Sequence, residues 1–240
     1  MIYAVGDIHG QLALLEDALR WIERDGGTDA KIIFMGDYTD RGPDSKRTID
    51  LLIEGRDAGR NWTFLKGNHD RMFTWFLESP SRHDPHLFME YTWHHERLGG
   101  TTTLESYGLD FTERRRFGDA HAEARAIVPQ AHIDFLTNAQ ITYETDDHFF
   151  VHAGVRPNVA FKDQTEDDLL WIRPEFVAHT AMFEKFVIHG HTALDTPTRY
   201  SNRINTDGGA GYGRPIWPVV LHGDQAWALN AQGRQDLVRG

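Results

Sequence analysis

The chain has no cysteine. That removes disulfides, thiolate metal sites and cysteine nucleophiles, and leaves the redox compartment undetermined. Basic residues are outnumbered, 25 Lys and Arg against 36 Asp and Glu, for a formal charge of −11. A general nucleic-acid or anionic-membrane binder rests on a basic surface, so neither partner is expected, although a local cationic pocket is compatible with this balance. No apolar run approaches the length that crosses a bilayer. The start, MIYAVGDIHG, enters a strand at once and lacks a basic leader followed by a long apolar segment. No signal peptide is expected, and the location that follows is cytoplasmic. Internal repeats and low-complexity linkers are also missing, so 1–240 reads as one domain.

At 240 residues, with 40% hydrophobic and 25% charged content, the chain is a globular type able to bury a substantial core. Three stretches in its first seventy residues share one design. The apolar run Ile2, Tyr3, Ala4, Val5 leads into GDIHG at 6–10, the run 31–35 into GDYTDRG at 36–42, and the run 62–65 into KGNHD at 66–70. Each is a short strand followed by a glycine and then by side chains that bind metals. One such loop would pass as a polar turn; the repetition does not.

Between the first two loops, Leu12, Leu15, Ala18, Leu19 and Ile22 recur at helical spacing, and Gly26-Gly27 follows. This predicts an amphipathic crossover helix over 11–24. With a second helix over 45–55, the pattern is βαβαβ with parallel strands, whose carboxyl ends form the ligand crevice. All three charged loops then open on one edge. Further strands are predicted at 148–151, 186–188, 203–205, 218–221 and 226–229, the last two joined by a hairpin turn at 222–225. The segment 78–130, rich in His, Arg and Glu, reads as a helical insertion flanking the site, with helices over 88–97 and 112–125 around Gly99-Gly100.

Asp7 and His9 lie on one loop, two residues apart, and can face one ion. Asp37 comes from the neighbouring strand end; its two carboxylate oxygens make it the best candidate to bridge two cations. Asn68 offers a neutral carbonyl oxygen, and His152 in FFVHAG and His191 in FVIHGHT follow later apolar strands. Imidazole, carboxylate and amide together suit manganese, iron, zinc or cobalt better than calcium or magnesium. Six candidates exceed one four-coordinate ion and point to two divalent metal ions, which can activate water and clamp an in-line phosphoryl displacement. His189, two residues from His191, is the main competitor and is expected to face the other way. The remaining histidines, His83, His86, His94, His95, His121, His132, His148, His179 and His222, are read as structural or solvated.

GDIHG, GDYTDRG, GNHD, HAG and GHT, in that order, resemble the phosphoprotein phosphatase family of calcineurin-like metallophosphoesterases, and LLWIRPEF at 169–176 is similar to its bacterial serine/threonine phosphatase branch. The ordered set is specific; a single HAG or GHT would be weak. The resemblance implies an α/β fold, a metallophosphoesterase β-sandwich flanked by helices. It implies that Asp7, His9 and Asp37 hold one ion and Asp37, Asn68, His152 and His191 the other, with manganese first and iron, zinc, cobalt or nickel as alternatives. His69 matches the general acid and Asp40 its carboxylate partner, while Arg41 and Arg173 match the arginines that grip phosphate, next to Asn68 and His69. Thr39 stands where the family often has valine, and Asp70 where eukaryotic members have glutamate. NTDGGAGYG at 205–213 is similar to the last active-site loop, with no role assigned to Asp207 or Tyr212.

The activity implied is direct hydrolysis of a phosphorylated protein or small phosphoester, without a phosphoenzyme. Symmetrical dinucleoside polyphosphate hydrolases share the pattern and are the alternative. A metal-free interaction scaffold would be expected to have lost ligands, and a nuclease fits poorly with the DRG arginine and the acidic charge.

Overall fold

The structure is a computed structural model and describes residues 1–88, 92–110 and 117–240. The chain opens with β1 (Ile2–Val5), α1 (Leu12–Gly26), β2 (Lys31–Phe34), α2 (Ser45–Asp57), β3 (Trp62–Phe64) and α3 (Asn68–Leu77). Helices α4 (Gly100–Ser106), α5 (Phe117–Ile127) and α6 (Gln130–Thr137) precede β4 (Thr142–Glu144) and β5 (His148–Val151). Then come α7 (Glu166–Trp171), α8 (Pro174–Ala178), β6 (Phe186–His189), β7 (Thr198–Arg199) and β8 (Arg203–Asn205). The chain closes with β9 (Val219–His222), β10 (Gln225–Asn230), β11 (Gly233–Asp236) and β12 (Val238–Arg239).

These strands form two mixed sheets, ordered β11-β10-β9-β1-β2-β3 and β12-β7-β8-β6-β5-β4. The predicted parallel β1-β2-β3 unit is present, with Tyr3 opposite Ile32 and Ile33 opposite Thr63. Strands β5, β6 and β8 run parallel in the second sheet. Side-chain alternation sorts the core into layers. Ala4, Ile33, Phe150, Ile188 and Val219 pack between the sheets. Tyr3, Val5 and Phe34 face outward onto Leu15, Ile22 and Leu52 of α1 and α2, while Phe149, Val151 and Val187 face Leu169 and Phe176 of α7 and α8. Helix α1 can lie close because Gly26 has no side chain; a Cβ there would stand 2.2 Å from the Tyr3 hydroxyl oxygen. The α/β sandwich flanked by helices is therefore as expected.

The insertion differs from its prediction. Within 88–97, residues 89–91 lie outside the described residues, and 92–99 form successive turns rather than a helix, with Leu98 N–H donating to the His95 carbonyl. Trp93 explains why. Its ring is 5% exposed and stacks on Phe73 of α3, a tertiary contact that overrides local propensity. Gly99, at φ 84°, does not separate two helices but caps the start of α4, which had not been anticipated. Of the helix predicted over 112–125, residues 112–116 lie outside the described residues and the rest belongs to α5.

Candidate active site

The loops after β1, β2, β3, β5, β6 and β8 meet at one edge of the sandwich. The backbone is strained where they do. Among the described residues, the non-glycine positions with positive φ are His9, Asp37, Asp40, Arg41, His191 and Asn158. All but Asn158 were singled out from the sequence as site residues, and each such backbone costs on the order of 1 kcal/mol, held in place by surrounding contacts. Asp70 supplies several of them. Its carboxylate accepts from the backbone N–H of Gly67 at 2.9 Å, Asp37 at 2.8 Å and Tyr38 at 2.9 Å, so the fourth residue of GNHD fastens the third loop to the second. Gly67 is needed in the same place, because a Cβ there would lie 2.0 Å from Asp37 Oδ1.

Asp37 sits at the centre. Its Oδ1 accepts from the His69 backbone N–H at 2.9 Å. Its Oδ2 lies 3.6 Å from His9 Nε2 on one side and 3.5 Å from His152 Nε2 on the other. Among the described residues, two groups are close enough to hold an ion, His9 with Asp37 and His69, and Asp37 with His152 and His191. Asp7 adjoins the first, with Oδ2 3.9 Å from His9 Nε2, and its carboxylate accepts from the His191 backbone N–H at 3.0 Å.

The imidazoles are oriented for ligation. His9 Nδ1 donates to the Thr39 carbonyl and His152 Nδ1 to the Met35 carbonyl, each at 2.8 Å. That leaves the Nε2 lone pairs facing inward, the usual outer-shell arrangement of a metal-binding histidine. The His152 lone pair meets the side-chain oxygen of Asn68 at 2.9 Å, so electron-rich atoms converge. His191 Nε2 is buried without a hydrogen-bond partner among the described residues. Burial, with Arg41 adding to it at His9 and His152 at His191, holds both histidines well below their ordinary pKa and therefore neutral. Burial also pushes Asp7 well up, helped by Asp207 and Asp37. The Asp37 carboxyl is held below the usual range, because the imidazoles of His152, His69 and His9 outweigh its burial. Buried carboxylates crowded around neutral imidazoles suit divalent cations: the donor set fits a metal pair.

His189 stays out of both groups, as expected, though not through strand alternation, which would place 189 and 191 on one face. The strand ends at His189 and the chain turns at His191, φ 65°. His189 then packs edge-on to Phe176, 4.9 Å between ring centres.

Beside the metal-type groups, His69 Nδ1 bonds Asp40 Oδ2 at 2.6 Å. Asp40 is fully buried. Its Oδ2 also accepts from Trp93 Nε1 at 2.8 Å, and its Oδ1 from the Thr103 hydroxyl at 2.8 Å. Trp93 and Thr103 come from the insertion and were not found from the sequence, which carries no spacing signal for them. Arg41 lies between two imidazoles, Nη1 2.8 Å from His9 Nε2 and Nη2 3.3 Å from His69 Nε2. Arg173 is exposed, and its Nη2 donates to the His191 carbonyl at 3.0 Å. A residue before proline favours extended backbone, yet Arg173, before Pro174, has φ −135° and ψ −74°. The turned carbonyl accepts from Val177 N–H at 2.8 Å and starts α8.

The loop at 205–213 does wall the site. Asp207 is 4% exposed, with an Oδ1 that accepts from Gly209 N–H at 2.8 Å. Gly211 closes onto His9 and Arg41, and a Cβ there would lie 2.7 Å from His9 Cδ2. Tyr212, 65% exposed, has its ring centre 5.3 Å from the Arg41 guanidinium carbon.

A family model for calcineurin-like phosphoesterases matches residues 1–213. The chain is 25% identical over 239 residues to an asymmetrical bis(5'-nucleosyl)-tetraphosphatase, PrpE, of Anoxybacillus flavithermus, covering 89% of this chain and 87% of that protein. A solved structure of a putative diadenosine tetraphosphatase superposes with a TM-score of 0.65 at 19% identity, over 95% of this chain and 91% of its own. A cold-active protein-tyrosine phosphatase of a psychrophilic Shewanella superposes with a TM-score of 0.62 at 15% identity, over 98% of this chain and 80% of its own. These solved structures share the fold, and the family match spans every loop just described: the chain belongs to the calcineurin-like phosphoesterases.

Proposed function

We propose that this metallophosphoesterase hydrolyses phosphomonoesters at a dinuclear centre in which Asp7, His9 and Asp37 hold one ion and Asp37, Asn68, His152 and His191 the other. The observation that carries the proposal is the position of Asp37 Oδ2, 3.6 Å from His9 Nε2 and 3.5 Å from His152 Nε2, which suits one carboxylate shared by two ions. Bound there, two divalent ions, manganese first, supply a water of lowered pKa and offset charge on the phosphoryl group. The chain's own residues do the rest. Arg41 and Arg173 present planar paired donors to the phosphoryl oxygens, with Asn68 and His69 beside them. As a water oxygen that has lost its proton bonds to phosphorus and the bond to the leaving oxygen breaks, His69 Nε2 delivers its proton to that leaving oxygen. Asp40 fixes the ring through Nδ1 and stabilises the imidazolium.

A fully buried, triply held Asp40 is most useful for a basic leaving group, which favours an alkoxide such as that of phosphoserine or phosphothreonine in a protein. A dinucleoside polyphosphate is the second reading. It is favoured by the names of the two tetraphosphatase relatives, and by the exposed Tyr212 ring with Arg41 at 5.3 Å and Arg214 at 5.9 Å, a rim suited to a base and further phosphates. The discriminating experiment gives manganese-loaded protein a phosphoserine/phosphothreonine peptide and diadenosine tetraphosphate at matched concentrations, following phosphate and nucleotide products. Faster peptide turnover supports the first reading, faster tetraphosphate cleavage the second, and turnover of neither removes the proposal.

A further inference from the structure

Arg71 lies on α3, two residues beyond His69, and is 3% exposed. A buried guanidinium is costly unless every donor edge meets an acceptor. Here Nε and Nη2 donate to Asp84 Oδ2 at 3.2 and 2.9 Å, and Nη1 donates to Asp167 Oδ1 at 2.7 Å, with Glu166 Oε1 at 3.6 Å. The face of the guanidinium lies 4.6 Å from the Trp75 ring centre. Asp84, 2% exposed, belongs to the insertion; Glu166 and Asp167 open α7, the helix that leads into Arg173. One side chain therefore joins the element carrying His69, the insertion, and the element carrying Arg173.

A second link runs alongside. Asp84 Oδ1 accepts from the His86 backbone N–H at 3.0 Å. The His86 ring stacks on Trp171, centres 5.1 Å apart and planes within 15°. Trp171 meets His191 edge-on at 6.0 Å, and Arg173 donates to the His191 carbonyl. The donors of Arg71 are taken up by Asp84 and Asp167, so it is no phosphate ligand itself.

We infer that Arg71 is a positioning residue that, through Asp167 and α7, holds Arg173 at the spacing from His69 that a bound phosphoryl group requires; this rests on the reading of Arg173 as a phosphate-gripping residue. Arginine suits the task because its rigid fork fixes direction as well as distance, which lysine does not.

Asp167→Asn tests it with least disturbance, since Asp167 is half exposed and Arg71 keeps Asp84. The readouts are inorganic phosphate affinity of the manganese-loaded protein by calorimetry, and KM and kcat on p-nitrophenyl phosphate, with Arg71→Lys as the companion variant. Phosphate affinity should fall about fivefold, a change of roughly 1 kcal/mol, with KM rising alike and kcat within about twofold. In an Arg173→Ala background the same substitution should change phosphate affinity by less than about twofold, the non-additivity of residues acting through one another. A structural role alone would lower stability without that pattern. If Arg173→Ala weakens phosphate while Asp167→Asn does not, or if the two losses simply add, the inference fails and the phosphate-gripping reading stands. If Arg173→Ala leaves phosphate affinity unchanged, both fall.

Discussion

Trp93 Nε1 donates to Asp40 Oδ2 at 2.8 Å, and the same oxygen is bonded by His69 Nδ1 at 2.6 Å. A tryptophan of the insertion thus sets the carboxylate that sets the proposed acid. Hydrogen bonds to charged groups are worth roughly 1.5–3 kcal/mol, and part of this one is available to the step in which the imidazolium gives up its proton. Trp93→Phe keeps the stack on Phe73 and the tilted contact with Phe76 and removes the donor. The expected result is a fall in kcat on a phosphoserine peptide of about tenfold, with manganese stoichiometry unchanged. An unaltered kcat would mean that Asp40 is sufficiently held by Thr103 alone.

Trp93 also marks the boundary of what the sequence discloses. Strands such as β1 were legible because four apolar residues run into a glycine, and the candidate ligands because each follows such a run. Strands β4, β7, β11 and β12 were not: two to four residues long, they are defined by the partner they pair with rather than by a pattern of their own. Asp70 was legible as a motif position but not as a clamp, since two of its three bonds go to backbone N–H groups 32 and 33 residues away. Trp93 and Thr103 reach Asp40 across 53 and 63 residues, contacts that local periodicity does not encode. Arg173 was found by resemblance, whereas its turned backbone depends on capping α8.

Asp37→Asn should separate a shared ligand from a peripheral one. The amide cannot offer two anionic oxygens, so the negative charge that draws two cations to one side chain is lost. Metal content by elemental analysis should fall from two ions toward one or none per chain, with affinity weakened at least about tenfold. Activity should drop with it. Full retention of both ions would remove Asp37 from the bridging position.

His69→Asn should behave in the opposite way. The candidate ligand atoms of Asp37, His152 and His191 are untouched, so two ions should still bind, while turnover of phosphoserine falls about 10²- to 10⁴-fold, the usual contribution of general acid catalysis. The loss should shrink on p-nitrophenyl phosphate, whose leaving group needs little protonation. Equal losses on both substrates would instead assign His69 to the metal group with His9 and Asp37, where its distance also permits it.

His132 gives the prediction for pH. Its Nδ1 accepts from the Tyr107 hydroxyl at 2.8 Å and its Nε2 donates to Asp50 Oδ1 at 2.9 Å, joining α6 to α2 and to the residue that ends α4. That pattern needs the neutral ring, since an imidazolium has no lone pair for Tyr107. Burial accordingly lowers its pKa below 6.5, against the opposing pull of Asp50. The unfolded chain therefore binds a proton at His132 before the folded one does, and stability rises with pH across that interval. The contribution is complete above the unfolded value of about 6.5 and is lost as pH falls toward the depressed folded value. Other buried histidines add to the slope and the crowded site carboxylates oppose it, so the quantity to read is the difference between wild type and His132→Gln. Their melting temperatures should be furthest apart near pH 8 and should converge toward pH 5. A gap that widens on acidification would mean that His132 is charged in the folded protein and paired to Asp50 instead.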